Sequence, residues 1–247
     1  GFGFYQTTTR KGSRSSSAEA YLKPVRDRDN LTVITHAKAS RVLFENGKAI
    51  GVVYMQNEKG AHEIRASREV ILSGGAINSP QLLMLSGIGP AAHLQAHGID
   101  VLVDAPGVGG NLQDHLDVCT LQRCTQNVTD DKTNDIAIGL NFYLFKQGAG
   151  TSNIAEAGGF TRSPLAEDER PDIQFHFVPA QLDDHGRNRL PGLGYTLHAC
   201  FLRPKSRGRI SLNSANPNDK VKIESCYLSD ADGFDIKVMR EALRLSR

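Results

Sequence analysis

The chain has 247 residues, an apolar fraction of 39%, a charged fraction of 23% and a formal net charge of +2. Such a length builds one large domain or two, and the composition is that of an ordinary soluble protein. The small net charge lends no electrostatic support to nucleic-acid binding, and no apolar run approaches bilayer length, so no transmembrane segment is expected.

The opening residues are followed by a polar loop over 7–17 carrying Arg10, Lys11 and Arg14. Ser16 or Ser17 is placed to cap a short helix over 18–22, which Pro24 distorts or ends. Residues 31–73 read as a run of strands: 31–35, then 39–44, a turn carrying the favoured Asn46-Gly47 pair, 49–55, a turn at 58–60, and 62–66.

Val70, Ile71 and Leu72 then read as a strand buried on both faces, the parallel-sheet kind. The strand runs into Ser73-Gly74-Gly75, where missing Cβ atoms let a backbone approach a ligand closely. Asn78 or Ser79 is placed to cap a helix with Pro80 in its first turn. Leu82, Leu83 and Leu85 cover its buried side, and Gly87 is a natural left-handed C-cap. Strand, glycine turn and helix N-terminus together form an anion- or nucleotide-facing edge of an α/β sheet. Ser73, Gly74, Gly75, Asn78 and Ser79 are therefore candidate cofactor-binding residues. The turn alone leaves open a structural βα unit without a ligand.

A further helix fits 90–97, closed by Gly98, and a strand fits 101–103. The glycines of 106–115 suggest a dinucleotide fingerprint, but Leu112 occupies the third glycine position and no acidic residue follows a βαβ unit, so the motif fails. From residue 117 the texture changes. Ile136, Leu140 and Tyr143 predict an amphipathic helix over 134–146. Ile173, Phe175 and Phe177 share one strand face while Gln174 and His176 take the other, and Tyr195, Leu197, Ala199 and Phe201 repeat the pattern. Shorter strands at 210–212 and 221–223 complete an antiparallel sheet. A last helix, capped by Ser229, carries Phe234, Val238, Ala242 and Leu245 as its stripe. Glu156 stands in a small, apolar stretch where an unpartnered carboxylate is costly to bury, so it faces a cavity or pairs internally. Asp183, Asp184 and His185 are ligand types, but adjacent residues rarely converge on one ion without a distant partner, and no metal site is expected. Cysteines 119, 124, 200 and 226 lack metal-binding or redox spacing and read as small buried hydrophobes in a reducing compartment.

Gly75, Ala76, Ser79, Pro80, Leu83, Met84, Ser86, Gly87, Ile88 and Gly89 stand in an order that resembles the second signature of the glucose–methanol–choline family of flavin-dependent oxidoreductases. The spacing Gly12-x-Arg14-x-Ser16 and the loop Asn111-Leu112-Gln113-Asp114-His115 resemble the same family. The resemblance implies FAD as cofactor. It puts the backbone of Ala39 at the adenine side, with a plain strand residue as the alternative. It puts Asn111 and His115 beside the flavin or its supporting groups, with a turn satisfying its own backbone as the alternative. Glu156 matches the glutamate that faces the quaternary ammonium in choline oxidases, and residues 182–187 and 202–208 resemble bacterial aliphatic-alcohol dehydrogenases.

The implied fold is α/β and α+β. Residues 1–116 form part of an FAD-binding α/β domain, a β-meander plus a parallel-sheet strand; residues 117–247 form part of an antiparallel-sheet substrate domain with flanking helices. The chain opens on Gly1 rather than Met and stops while helical periodicity is still running, as an excised middle piece does, so localisation signals would lie outside it. By the same resemblance the pyrophosphate-binding Gly-x-Gly-x-x-Gly unit and the catalytic histidine segment lie outside it too. No catalytic residue is expected within these 247 residues, and the piece alone is expected to be inactive.

The implied function is the central portion of an alcohol dehydrogenase. It oxidises a primary, aliphatic alcohol to the aldehyde by hydride transfer to FAD and passes electrons to a non-nicotinamide acceptor. A choline dehydrogenase and a non-catalytic binding module are the alternatives. The expected partners are the alcohol, the acceptor and another copy of the chain, and no nucleic acid. The expected location is cytoplasmic or peripheral at the inner membrane face.

Overall fold

The structure is a computed structural model and describes residues 1–57, 59–126, 129 and 135–247. In chain order, β1 (Phe2–Phe4), β2 (Thr9–Arg10) and β3 (Ser13–Arg14) precede a π-helical turn at Ala18–Leu22 and a 3-10 turn at Lys23–Val25. Then come β4 (Ala37–Glu45), β5 (Lys48–Gln56), β6 (Lys59–Arg65), α1 (Gly75–Leu85), β7 (Ile88–Gly89), α2 (Ala91–Ala96), β8 (Val103–Asp104) and β9 (Asp117–Arg123). They are followed by α3 (Asp135–Phe145), β10 (Ala157–Thr161), β11 (Ile173–Val178), β12 (Leu182–Asp183), β13 (Asn188–Arg189), β14 (Gly194–Phe201), β15 (Arg209–Ser211), β16 (Lys222–Glu224) and α4 (Phe234–Leu245). No helix among the described residues is long and apolar enough to cross a membrane.

The chain folds into two compact units, each built from segments on both sides of residue 116: Gly1–Leu31, His115–Lys205 and Asp230–Arg247 form the first; Thr32–Asp114 and Ser206–Ser229 form the second.

The first unit is an antiparallel sheet in the order β1-β10-β11-β14-β9. Its period-2 alternation puts Ile173, Phe175, Ala199 and Phe201 on one face, where Val238, Met239 and Ala242 of α4 close a buried core. At about 25 cal/mol per Å² of apolar surface removed from water, such a cluster is the main favourable term for the unit. The cap of α4 differs from the sequence expectation. Asp230, not Ser229, receives the N–H groups of Phe234 and Asp235, and Gly233 at φ 60° turns the chain into the helix. Ser229 instead donates its hydroxyl to the Cys226 carbonyl at 2.6 Å.

Helix α3 forms, with residue 134 outside the described residues, but its expected inner stripe points outward: Ile136, Leu140 and Tyr143 are 74%, 56% and 77% exposed. The half-buried positions are Ile138 and Phe142. The helix is apolar nearly all round, so its periodicity selects no face. The serine cap expected near residue 18 reduces to a 3.4 Å contact between the Glu19 N–H and Ser16 Oγ. The cysteines also depart from expectation: all four are free, yet only Cys200 is buried, whereas Cys119 and Cys226 are exposed.

The second unit carries the predicted meander β4-β5-β6. Asn46 at φ 50° and Gly47 at φ 75° make the primed turn that joins β4 to β5; of the second turn, Glu58 lies outside the described residues. Two expected strands are absent. Residues 31–35 and 70–72 pair with no described strand, and Ile71 is 75% exposed. A strand exists only through its ladder partners, and an apolar run without them remains merely extended. Among the described residues the one parallel ladder joins β7 to β8, Ile88 opposite Val103 and Gly89 opposite Asp104.

Strands β15 and β16, expected in the large antiparallel sheet, form their own hairpin in this unit. Ile210 and Leu212 pack there with Met84 of α1 and Leu94 of α2. Helix α1 begins at Gly75, so Pro80 lies inside it, and Asn78 and Ser79 are helical residues rather than caps. Met84, not the leucines, is its buried residue. Gly87, at φ 85°, ends the helix as expected; a Cβ there would stand 2.6 Å from the Asp100 carbonyl oxygen, so only glycine makes this turn without displacement. Ser86 ties α1 to β4 by accepting from the Val42 N–H at 2.9 Å and donating to the Leu82 carbonyl at 2.6 Å.

Candidate functional site

In the second unit, β4, the extended segment 70–74 and the first turns of α1 enclose a cavity of about 430 Å³. Ala39, Val52, Val70 and Leu82 give it an apolar wall, while Ser73, Gly74, Asn78 and Ser79 stand where α1 begins. Gly74 is the helix N-cap and offers no side-chain cap. The first N–H groups of α1 therefore look for partners elsewhere, as a helix N-terminus does when it binds an anion or a polar ligand edge. A Cβ on Gly74 would lie 3.1 Å from both Asn78 Cβ and Ser79 N, so the turn is already at contact distance. Gly75 has φ 77° and open space around its missing Cβ; it serves the turn and does not line the cavity. The Gln81 amide, bonded to the Asp219 carbonyl at 3.0 Å, holds the side that Pro217 closes.

The structure thus brings Ala39, Ser73, Gly74, Asn78 and Ser79 to one cavity, with Gly75 adjoining it. Asn111 and His115 are not among its lining residues. Asn111 is exposed at φ 57° in a loop pinned by Leu112 N–H to Gly208 O at 2.9 Å and Ile210 N–H to Gly109 O at 2.7 Å. His115 is exposed in the first unit.

The first unit holds a second cavity, of about 730 Å³, lined by Tyr5, Thr7, Arg14, Ser16, Phe142, Asn153 and His176 among others. It is rich in hydroxyls. The Tyr5 hydroxyl donates to the Phe175 carbonyl at 2.8 Å and lies 3.0 Å from His176 Nδ1. A tyrosine has one proton to give. With that proton on the Phe175 carbonyl, neutral His176 donates from Nδ1 to Tyr5 and keeps Nε2 as an acceptor. Burial holds the His176 pKa below its ordinary 6.5, and neighbouring His198 pushes the same way. Glu156 is exposed and is not a lining residue, although Ala155 beside it is; the Glu156 carbonyl accepts from the Tyr5 N–H at 2.9 Å.

On the same sheet, His176 pairs across the ladder with His198, and His198 with Cys119. Asp117 Oδ2 lies 2.6 Å from His198 Nδ1, and Cys119 Sγ lies 3.1 Å from that nitrogen and 3.4 Å from Asp117 Oδ1. The His198 hydrogen bond holds the Asp117 pKa below the usual carboxylate value. Burial, then the Asp117 charge, pushes the Cys119 thiol up to about 12. The sequence reading missed this cluster and His176. The available signals were Asp117 and Cys119 two apart on one strand, and histidines on alternating strand faces; the strand pairing was not available. Asp183 and Asp184, by contrast, serve local structure: Asp183 accepts from the Asp184 N–H at 2.8 Å, and Asp184 faces Arg187 at 3.6 Å. The side chain of His185 lies outside the described residues.

Comparison with known proteins gives a consistent picture. The family described as GMC oxidoreductase matches residues 1–117. An alcohol dehydrogenase (acceptor) of Pseudomonas putida is 51% identical, aligned with 100% of this chain and 45% of its own length. A mitochondrial choline dehydrogenase of Mus musculus is 45% identical over 100% of this chain and 41% of its own. Among solved structures, a formate oxidase variant of Aspergillus oryzae RIB40, studied for its FAD modification, superposes with a TM-score of 0.86 at 28% identity, over 97% of this chain and 46% of its own. The chain spans less than half the length of these relatives.

Proposed function

Because this chain belongs to the GMC oxidoreductase family, we propose that it is the central portion of an FAD-dependent alcohol dehydrogenase. In this reading the whole protein oxidises a primary, aliphatic alcohol to the aldehyde and hands electrons to an acceptor other than nicotinamide. The observation that carries the reading is the cradle at α1. Ser79 of the stretch that resembles the family signature, with Ser73, Gly74 and Asn78 beside it, meets Ala39 around one cavity with an apolar wall and a helix N-terminus that has no side-chain cap. That donor set fits one flat, polar-edged portion of a dinucleotide: the wall accepts a ring face and the backbone N–H groups its polar edge. FAD, when bound, supplies the two-electron acceptor for the hydride that leaves the alcohol carbon.

The chain's own residues bind and orient. Ala39, Ser73, Gly74, Asn78 and Ser79 hold cofactor, with Gly75 setting the turn; for Asn111 and His115 a role toward the flavin rests on the resemblance alone. The hydroxyl-rich cavity of the first unit is the alcohol side. There the neutral His176 Nε2 accepts an alcohol O–H, and Glu156 stands next to the lining residue Ala155. In this reading the second unit, Thr32–Asp114 with Ser206–Ser229, serves FAD and the first unit the substrate, in a protein that is cytoplasmic or peripheral at the inner membrane face. The 51% identity to an alcohol dehydrogenase, against 45% to a choline dehydrogenase, supports an alcohol other than choline as the substrate. Glu156, matching a glutamate that faces a quaternary ammonium, favours choline as the second reading.

The test is a substrate screen on the FAD-loaded full-length protein, reading dye reduction with primary alkanols and with choline. Turnover with alkanols supports the proposal; turnover with choline alone overturns the substrate, and no bound flavin overturns the reading. Glu156→Gln should retain flavin and change KM or kcat. Unchanged constants for several alcohols would make Glu156 structural.

A further inference from the structure

We propose that Asp117, Cys119 and His198 form a divalent-cation site of the zinc class on the antiparallel sheet of the first unit. Asp117 and Cys119 stand two residues apart on β9 and so project to the same face, and His198 of β14 sits directly across the ladder from Cys119. One carboxylate oxygen, the thiol sulfur and an imidazole nitrogen lie within 4.8 Å of one another. The close pairs are 2.6 Å for oxygen to nitrogen and 3.1 Å for sulfur to nitrogen.

Around a tetrahedral zinc with bonds of about 2.0 Å to nitrogen and oxygen and about 2.3 Å to sulfur, neighbouring ligand atoms stand roughly 3.2–3.6 Å apart. The three groups therefore need to spread by well under the reach of one rotamer adjustment. The strand ladder holds their backbones at fixed separation, so the site is largely built before an ion arrives.

The chemistry of the donors selects the ion. A thiolate and an imidazole favour zinc over magnesium or calcium, which take oxygen ligands. Thiolate and carboxylate together balance the two positive charges. Half-exposed Asp117 and exposed Cys119 leave a path for entry. Three protein ligands also leave a fourth position open to water or to a substrate oxygen, as in catalytic rather than structural zinc sites. A histidine pair at α2 makes an internal control. His93 of α2 and His97 at its C-cap have ring centroids 4.7 Å apart, but His93 Nε2 already accepts the Leu212 N–H at 3.0 Å.

The experiment is a Zn²⁺ titration of chelator-stripped full-length protein against a chromophoric chelator, with Co²⁺ as the spectroscopic probe. One equivalent of zinc and a thiolate-to-cobalt charge-transfer band are expected. Cys119→Ser should abolish the band, and Cys119→Ser or His198→Gln should weaken zinc binding by roughly tenfold or more with circular dichroism unchanged; His93→Gln should change neither. No thiolate band in the unmodified protein overturns the site whatever the variants do. So does zinc held equally tightly by Cys119→Ser and His198→Gln.

Discussion

Two glycines of the second unit separate the cost of backbone conformation from the cost of space. Gly75 and Gly87 bracket α1 with φ of 77° and 85°, both in the region that side chains rarely adopt. A Cβ on Gly75 meets nothing within 4 Å, whereas one on Gly87 falls 2.6 Å from the Asp100 carbonyl oxygen and 3.2 Å from Leu102 N. Gly75→Ala should therefore cost only the left-handed penalty, about 1–2 kcal/mol. Gly87→Ala should cost that plus the displacement of a packed backbone, about 1–3 kcal/mol more. Urea denaturation of the FAD-loaded full-length protein, with flavin release as a second readout, measures both. Gly75→Ala should shift the midpoint slightly and keep its flavin, because no side-chain atom enters the cradle. Gly87→Ala should lose clearly more stability. Equal losses in the two variants, or a larger one at Gly75, would refute the placement of these turns.

Asp172, almost wholly buried, accepts from both the N–H and the hydroxyl of buried Ser163 at 2.6 Å. Asp172→Ala should cost about 2–4 kcal/mol by leaving both donors unsatisfied, and Asp172→Asn less, both read as denaturation midpoints. Acid should destabilise the fold through His176 and His93, both held below 6.5 chiefly by burial. As pH falls below about 6.5 the unfolded chain takes up protons that the folded histidines refuse, so stability declines toward their lowered folded values. Asp117, held low by His198, adds stability above the ordinary carboxylate pKa that is lost as pH falls through its folded value. A midpoint that stays level or rises between pH 7 and pH 5 would contradict the histidine assignment, which His176→Gln should diminish.

What was legible in the sequence was whatever is set by local period and turn chemistry. The Asn46-Gly47 turn, the alternation through Ile173–Val178 and Gly194–Phe201, and the stop at Gly87 all appear where the residues demand them. What was not legible depends on partners distant in sequence. Residues 70–72 carry a strand's composition but have no ladder among the described residues. Helix α3 is apolar on too many sides to announce a face. The α4 cap fell to Asp230 because its carboxylate reaches the first free N–H groups, which Ser229, a residue earlier, does not. Likewise Ser73, Gly74, Asn78 and Ser79, which share a cavity, lie close together in sequence, while Asp117 and His198, 81 residues apart, meet only through β9 and β14.

The interleaving of the two units sets the order in which this chain can mature on a ribosome. The path passes between units at 31/32, 114/115, 205/206 and 229/230. Strand β1 waits for β10, with Phe2 opposite Gly159, and α4 supplies the last layer of the core it helps bury. The meander, whose pairings are between neighbours, can form early; the antiparallel sheet cannot be sealed until the final turn of α4 is made. Pairings of such long sequence separation are slow to find, and the nascent first unit meanwhile presents open strand edges to other chains. Limited proteolysis of stalled nascent chains would therefore show residues 37–65 protected long before Phe2–Phe4, and a truncation before Phe234 should yield aggregate rather than a smaller folded protein.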